Sequence, residues 1–297
     1  CSSSLLLLNK MAVMDSGSKT LALLLQFVAS VFVVLVLSKV GSNATPIRFS
    51  FKRTASFFGV ALLFCACLYT NVKVLEISNV ETVVVFRSLS PMFVCVMEVF
   101  LLKTKIPSMW TWLSMTGIFL GAYGYCLWEQ DGLSVTHYFW VGAYLASIVA
   151  EMVYVKFVVS RTAKDIQMTT SEKVFYNNAL SIPIVLGMAS LNGEMPTITG
   201  FNYVQLIESP SLILACLAGV GISYAGFNLR TKVSATTYTV VGVANKLVTL
   251  LVNFVVWEHH AKQESLVFIC LSILSATAYG FTLEQKKDPV SVAKRIN

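Results

Sequence analysis

The chain has 297 residues, of which 56% are hydrophobic and only 12% charged. A soluble domain of this length carries roughly twice that charged fraction, so a mean hydropathy of +0.72 excludes an ordinary soluble protein. The net charge of +7 sits in short loops and at helix ends, with no basic face interleaved with aromatics, and this excludes nucleic acid as a partner.

Apolar runs of about 18 to 22 residues recur along the chain, each long enough to cross a bilayer as a helix. Ten predicted spans lie near residues 1–14, 20–39, 55–73, 82–102, 109–127, 138–159, 172–190, 211–230, 236–257 and 265–283. The first is short, starts at Cys1, and reads as a helix that has lost its beginning rather than as a secretory signal peptide. The loops after the second, fourth, sixth and eighth spans carry Lys39, Arg48, Lys52, Arg53, Lys103, Lys105, Arg161, Lys164, Arg230 and Lys232. The tail adds Lys286, Lys287, Lys294 and Arg295, whereas the opposite loops hold only Lys19, Lys73 and Lys262. This asymmetry predicts that both termini are cytosolic. Asn43-Ala44-Thr45 has the form of a glycosylation acceptor, but it falls on the cytosolic side and reads as unused.

An offset of 155 residues sets Tyr69 on Tyr224, Thr82 on Thr237 and Glu98 on Asn253. Membrane segments five spans apart run in opposite directions. The expected fold is therefore an all-α membrane protein of ten transmembrane helices, built as two inverted five-helix halves, 1–127 and 138–283, with a cytosolic basic tail, 284–297. Six of the seven cysteines (Cys65, Cys67, Cys95, Cys126, Cys216 and Cys270) fall inside apolar runs and read as small packing residues. No metal-ligand spacing appears, and His259 and His260 read as solvated loop residues.

The ninth span carries the sharpest polar pattern. Tyr238, Gly242, Asn245, Lys246, Thr249 and Asn253 fall within an arc of about 100° on a helix. Lys246 lies near mid-span, where a lysine costs roughly 2.5–3.5 kcal/mol on insertion scales. A polar stripe around a central cation points to a water-filled cavity and an anionic ligand; the alternative is a structural pair with a carboxylate such as Glu98 or Glu151. In the fourth span Arg87, Pro91 and Glu98 share a face. Pro91 frees a backbone carbonyl and predicts a kink. Arg87 is a second candidate for phosphate oxygens, the alternative being a helix-end residue that reaches lipid headgroups. Glu151 reads as a proton-coupling carboxylate or half of an ion pair, with the ion pair favoured. In the seventh span Asn177 and Asn178 offer two amide forks for the edge of a nucleobase, and Tyr176 offers a ring for stacking. Interhelical hydrogen bonding is the alternative for such asparagines.

Phe175-Tyr176-Asn177-Asn178 together with Gly242-Val243-Ala244-Asn245-Lys246 resembles the paired signatures of the GDP-sugar branch of Golgi nucleotide-sugar transporters, in the drug/metabolite transporter superfamily. Gly221-Ile222-Ser223-Tyr224 and Thr236-Thr237-Tyr238 are similar to the same family, and the resemblance covers all ten spans. Phe86-Arg87-Ser88-Leu89-Ser90-Pro91, Glu151-Met152-Val153-Tyr154 and Val256-Trp257-Glu258 look closer to plant-type GDP-fucose transporters than to GDP-mannose transporters. The resemblance implies that Asn177, Asn178 and Ser223 hydrogen-bond guanine, that Lys246 meets phosphate, and that Tyr238 and Gly242 face the sugar. It implies exchange of cytosolic GDP-fucose or GDP-mannose for lumenal GMP by alternating access, in the Golgi membrane, without metal or cofactor. A plastid-type phosphate translocator, or a carrier for another base, is the alternative. The expected partners are GDP-sugar, GMP and membrane lipid, with a homodimer left open. No nucleophile–base constellation appears, so the expectation is a transporter and not an enzyme.

Overall fold

The computed structural model describes residues 18–39, 47–78, 80–102, 108–128, 134–165, 168–200, 209–243, 245 and 263–284. The first predicted span, Asn43, His259, His260, Lys246 and the rest of the ninth span after Asn245, and the basic tail from 285 lie outside these residues.

The described residues form helices and connecting turns only. In chain order they are α1 (Lys19–Lys39), α2 (Phe51–Ile77), α3 (Val80–Ser88), α4 (Ser90–Leu102), α5 (Met109–Trp128), α6 (Val135–Asp165), α7 (Thr170–Leu191), α8 (Met195–Thr199), α9 (Pro210–Lys232), α10 (235–243) and α11 (Gln263–Glu284). A helix stands at each predicted span from the second to the tenth. Five of them (α1, α2, α6, α7 and α9) are long and apolar enough to cross a membrane. All-helical structure is what hydrocarbon demands, since a helix satisfies its own backbone where no water can. Large apolar side chains such as Phe32, Phe100, Trp110, Leu113 and Phe119 face outward, as a lipid solvent allows.

The fourth span is broken into α3 and α4 at Leu89. Pro91 has no N–H to offer the carbonyl of Arg87, and the Ser90 hydroxyl takes its place at 2.6 Å. The Ser88 hydroxyl likewise donates to Val85 O at 2.5 Å. The helix is interrupted where Pro91 predicts a kink, and the carbonyl that Pro91 orphans is satisfied by a neighbouring side chain.

The chain divides into two compact units. The first comprises residues up to Ala66 together with Val155–Lys232, and the second comprises Cys67–Tyr154 together with residues from Val233. Each unit thus draws on both sequence halves.

In the first unit α1 packs along α7 and α9, and α7 also meets α9. The core includes Leu21, Phe27, Phe57, Val60, Val174, Phe175, Leu212 and Phe227. Gly219 admits the Gln26 side chain to within 3.2 Å of where a Cβ would stand.

In the second unit α5 packs along α11, and α3 touches both. Gly117, Gly121 and Gly124 face Ser275, Ser272 and Phe268 across that seam. A Cβ on Gly121 would come within 2.7 Å of Ser272 N and 2.8 Å of Phe268 O, so the two backbones approach too closely for any side chain there. Small residues are what let membrane helices pack on van der Waals contact alone. Met115, Ile118, Ala122, Tyr125, Ile269, Ile273 and Ala276 complete this core, and a second cluster joins Val74, Val83, Tyr144, Ile148 and Ala235. Among the described residues, Cys65, Cys95, Cys216 and Cys270 are free thiols.

Candidate functional site

In the first unit, α7 begins with a capping box. The Thr169 hydroxyl accepts from Glu172 N–H at 3.2 Å, and Glu172 Oε2 accepts from Thr169 N–H at 2.9 Å. Two of the four donors left over at a helix start are thereby satisfied. Glu172 Oε1 forms a buried ion pair with Arg53 and accepts from Arg48 N–H at 3.2 Å. One turn later the Tyr176 hydroxyl donates to Arg48 O at 2.8 Å and accepts from Ser50 N–H at 3.1 Å. Its ring lies beside Phe57 at 6.3 Å and Phe175 at 5.6 Å. Tyr176 is therefore held against the segment that opens α2, and so is the turn of α7 that follows it.

That turn carries Asn177 and Asn178, only 4% and 1% exposed. Asn178 Nδ2 donates to Val174 O at 2.8 Å. Both amide oxygens are buried and have no hydrogen-bond partner among the described residues. An orphaned buried acceptor of this kind costs about 1–3 kcal/mol, and two in succession mark a place where donors are missing. Ser223 stands half-buried on α9, which packs on α7.

In the second unit, Arg87 Nη1 donates to the hydroxyl of buried Tyr144 at 2.8 Å. Its Nη2 lies 3.7 Å from where a Cβ on Gly242 would stand. Tyr238 packs, partly buried, on the cluster that contains Tyr144 and Val74. Arg87, Tyr238 and Gly242 are thus brought to one region, α3 supplying the guanidinium and α10 the other two. Asn245 is exposed at the end of the described part of that helix.

Four determinants are absent from the sequence reading. Buried Glu98, offered there as a partner for Lys246, caps α10: Oε1 accepts from Ala235 N–H at 3.0 Å, and Oε2 from Thr236 N–H at 3.3 Å and from the Thr236 hydroxyl. Ser234 adds a second cap through Thr237 N–H at 3.0 Å. Nothing in the spacing of residues 98 and 235 could reveal that contact. The capping box was open to view as Thr169-x-x-Glu172, and the tight seam as Gly117-x-x-x-Gly121. Glu151 is buried on α6.

No protein-family model matches the chain. The chain is 32% identical to GDP-fucose transporter 1 of Arabidopsis thaliana over 302 residues, 99% of this chain and 86% of that protein. It is 31% identical to the GDP-mannose transporter GONST3 of Arabidopsis thaliana, over 80% of this chain and 64% of that one. It is 26% identical to GDP-mannose transporter 2 of Vanderwaltozyma polyspora, over 96% and 91%. A solved crystal structure superimposes with a TM-score of 0.63 over 96% of each chain at 14% identity, a likeness of fold alone. With this similarity along nearly the whole chain, the protein belongs to the family of GDP-sugar transporters, membrane carriers and not enzymes.

Proposed function

We propose that the protein carries GDP-fucose or GDP-mannose from the cytosol into the Golgi lumen and returns GMP, by alternating access. The observation that carries this reading is the pair of buried, unpartnered amide oxygens on Asn177 and Asn178. Guanine presents neighbouring N1–H and N2–H donors, the complement of two acceptors that lack them. Ser223 adds a hydroxyl from α9. Lys246 and Arg87 meet the phosphates, Arg87 being already oriented by Tyr144. Tyr238 and Gly242 face the sugar, where the absent glycine side chain leaves room, and Asn245 extends the same polar stripe.

The ten-helix inverted layout belongs to this reading. Its offset equates α5 with α11 and, within a turn, α1 with α7, and each of these pairs packs directly. Both termini are cytosolic on the loop charges.

Proteoliposomes loaded with GMP test the function. Labelled GDP-fucose or GDP-mannose should enter, and external GMP should compete at concentrations where UMP and CMP do not. Equal competition by UMP would sink the guanine assignment.

A further inference from the structure

Residues 47–50 lead into α2 without helical structure of their own, so their backbone groups need partners from elsewhere. Two of those groups share a single atom. The Tyr176 hydroxyl donates to Arg48 O at 2.8 Å and accepts from Ser50 N–H at 3.1 Å, which spends its one proton. One turn earlier on α7, Glu172 holds the same stretch through Arg48 N–H and the Arg53 guanidinium. Phe49 adds an edge-on ring contact to Phe175 at 5.6 Å. The first two turns of α7 are therefore pinned to residues 48–53 by polar and aromatic contacts together.

The Tyr176 ring is poorly placed to meet a base. It is 3% exposed and packs beside Phe57 at 6.3 Å and Phe175 at 5.6 Å. Successive side chains on a helix stand about 100° apart, so Asn177 and Asn178 lie about 100° and 200° around α7 from that ring. A base held by both amides sits on another side of the helix. The two amide oxygens have no hydrogen-bond partner among the described residues, and the Asn178 amide is tied to its own helix at Val174 O. Where the oxygens stand follows from where α7 stands.

We infer that Tyr176 is a positioning residue: its hydroxyl, bound to the backbone at Arg48 and Ser50, fixes the turn of α7 from which Asn177 and Asn178 meet guanine, and its ring stacks on no base. This role rests on the guanine-nucleotide reading above and adds to it the anchor of the two acceptors.

Tyr176→Phe removes one oxygen atom and keeps the ring. Binding of GMP, IMP and UMP to the purified full chain tests the role. IMP differs from GMP only in lacking the N2 amine, so the ratio of their affinities reads the asparagine contact and does not depend on how much of the chain is folded. In the unaltered chain GMP should bind more tightly than IMP, and equal affinities overturn the inference. In Tyr176→Phe, GMP should weaken about twofold to tenfold, the worth of one hydrogen bond. IMP should weaken less, so that the ratio falls toward one. A stacking ring would survive the change to Phe, and unaltered GMP affinity overturns the anchoring role. Equal weakening of GMP and IMP overturns it too, because a tyrosine kept for structure alone acts through the amount of folded protein. Coupling is reciprocal, so in the unaltered chain GMP should slow amide hydrogen exchange at residues 48–50. The absence of any slowing there overturns the role without a variant. If UMP binds the unaltered chain as tightly as GMP, the guanine reading itself has failed, which is a separate outcome.

Discussion

Glu98 receives three hydrogen bonds at the start of α10, and its removal orphans all their donors at once. Glu98→Ala should lower thermal stability by at least about 1–3 kcal/mol, the cost of buried donors left unpaired. Glu98→Gln keeps an acceptor and should lose less. Because α10 carries Tyr238 and Gly242, uptake of GDP-sugar should fall with the cap. An unfolding curve for Glu98→Ala that overlays the unaltered one would show that the cap bears no load. Lys246 calls for a binding measurement. A lysine ammonium beside a diphosphate in a partly dehydrated cavity gains roughly 1.5–3 kcal/mol, so Lys246→Ala should weaken GMP by about tenfold to a hundredfold. Guanosine, without phosphate, should be nearly indifferent. Unchanged GMP affinity in folded Lys246→Ala would return Lys246 to a structural role and leave Arg87 as the leading phosphate ligand.

Between elements, the seam of α5 and α11 makes the firmest demand on residue size. A methyl on Gly121 meets backbone atoms of Ser272 and Phe268, which cannot swing aside. Gly121→Ala should therefore cost about 1–3 kcal/mol as the helices are forced apart. Gly142 on α6 has nothing within 4 Å of a Cβ, so Gly142→Ala should be neutral, or stabilise by up to about 1 kcal/mol through helix propensity. Thermal unfolding of the two variants should separate them, and equal effects would contradict the seam. The helices themselves were legible in the sequence, because a bilayer-spanning helix needs a continuous apolar run and such runs show in composition. The break before Pro91 was legible as well, since a missing N–H is a local fact. Glu98 capping Ala235 was not, because hydropathy does not say which helix lies beside which. The burial of Tyr176 against the opening of α2 was hidden for the same reason, while the residue pattern around it was plain.

For the molecule as a whole, loop charge carries the orientation. Lys39, Arg48, Lys52 and Arg53 precede or open α2, and Arg161 and Lys164 close α6, all on the side predicted to be cytosolic. A C-terminal tag on sealed Golgi vesicles should be cleaved by added protease; protection of the tag would invert the topology and the direction of traffic. The family was readable in the primary structure. The make-up of the compact units was not, since each takes helices from both halves of the chain. The unpartnered oxygens of Asn177 and Asn178 carry one more consequence. If guanine satisfies them, the empty carrier bears a debt of free energy that the occupied one does not, and nucleotide becomes a chaperone as well as a cargo. A cell short of guanine nucleotide would then hold less of the carrier, through faster turnover of unoccupied copies, so that transport capacity follows supply with no dedicated regulator.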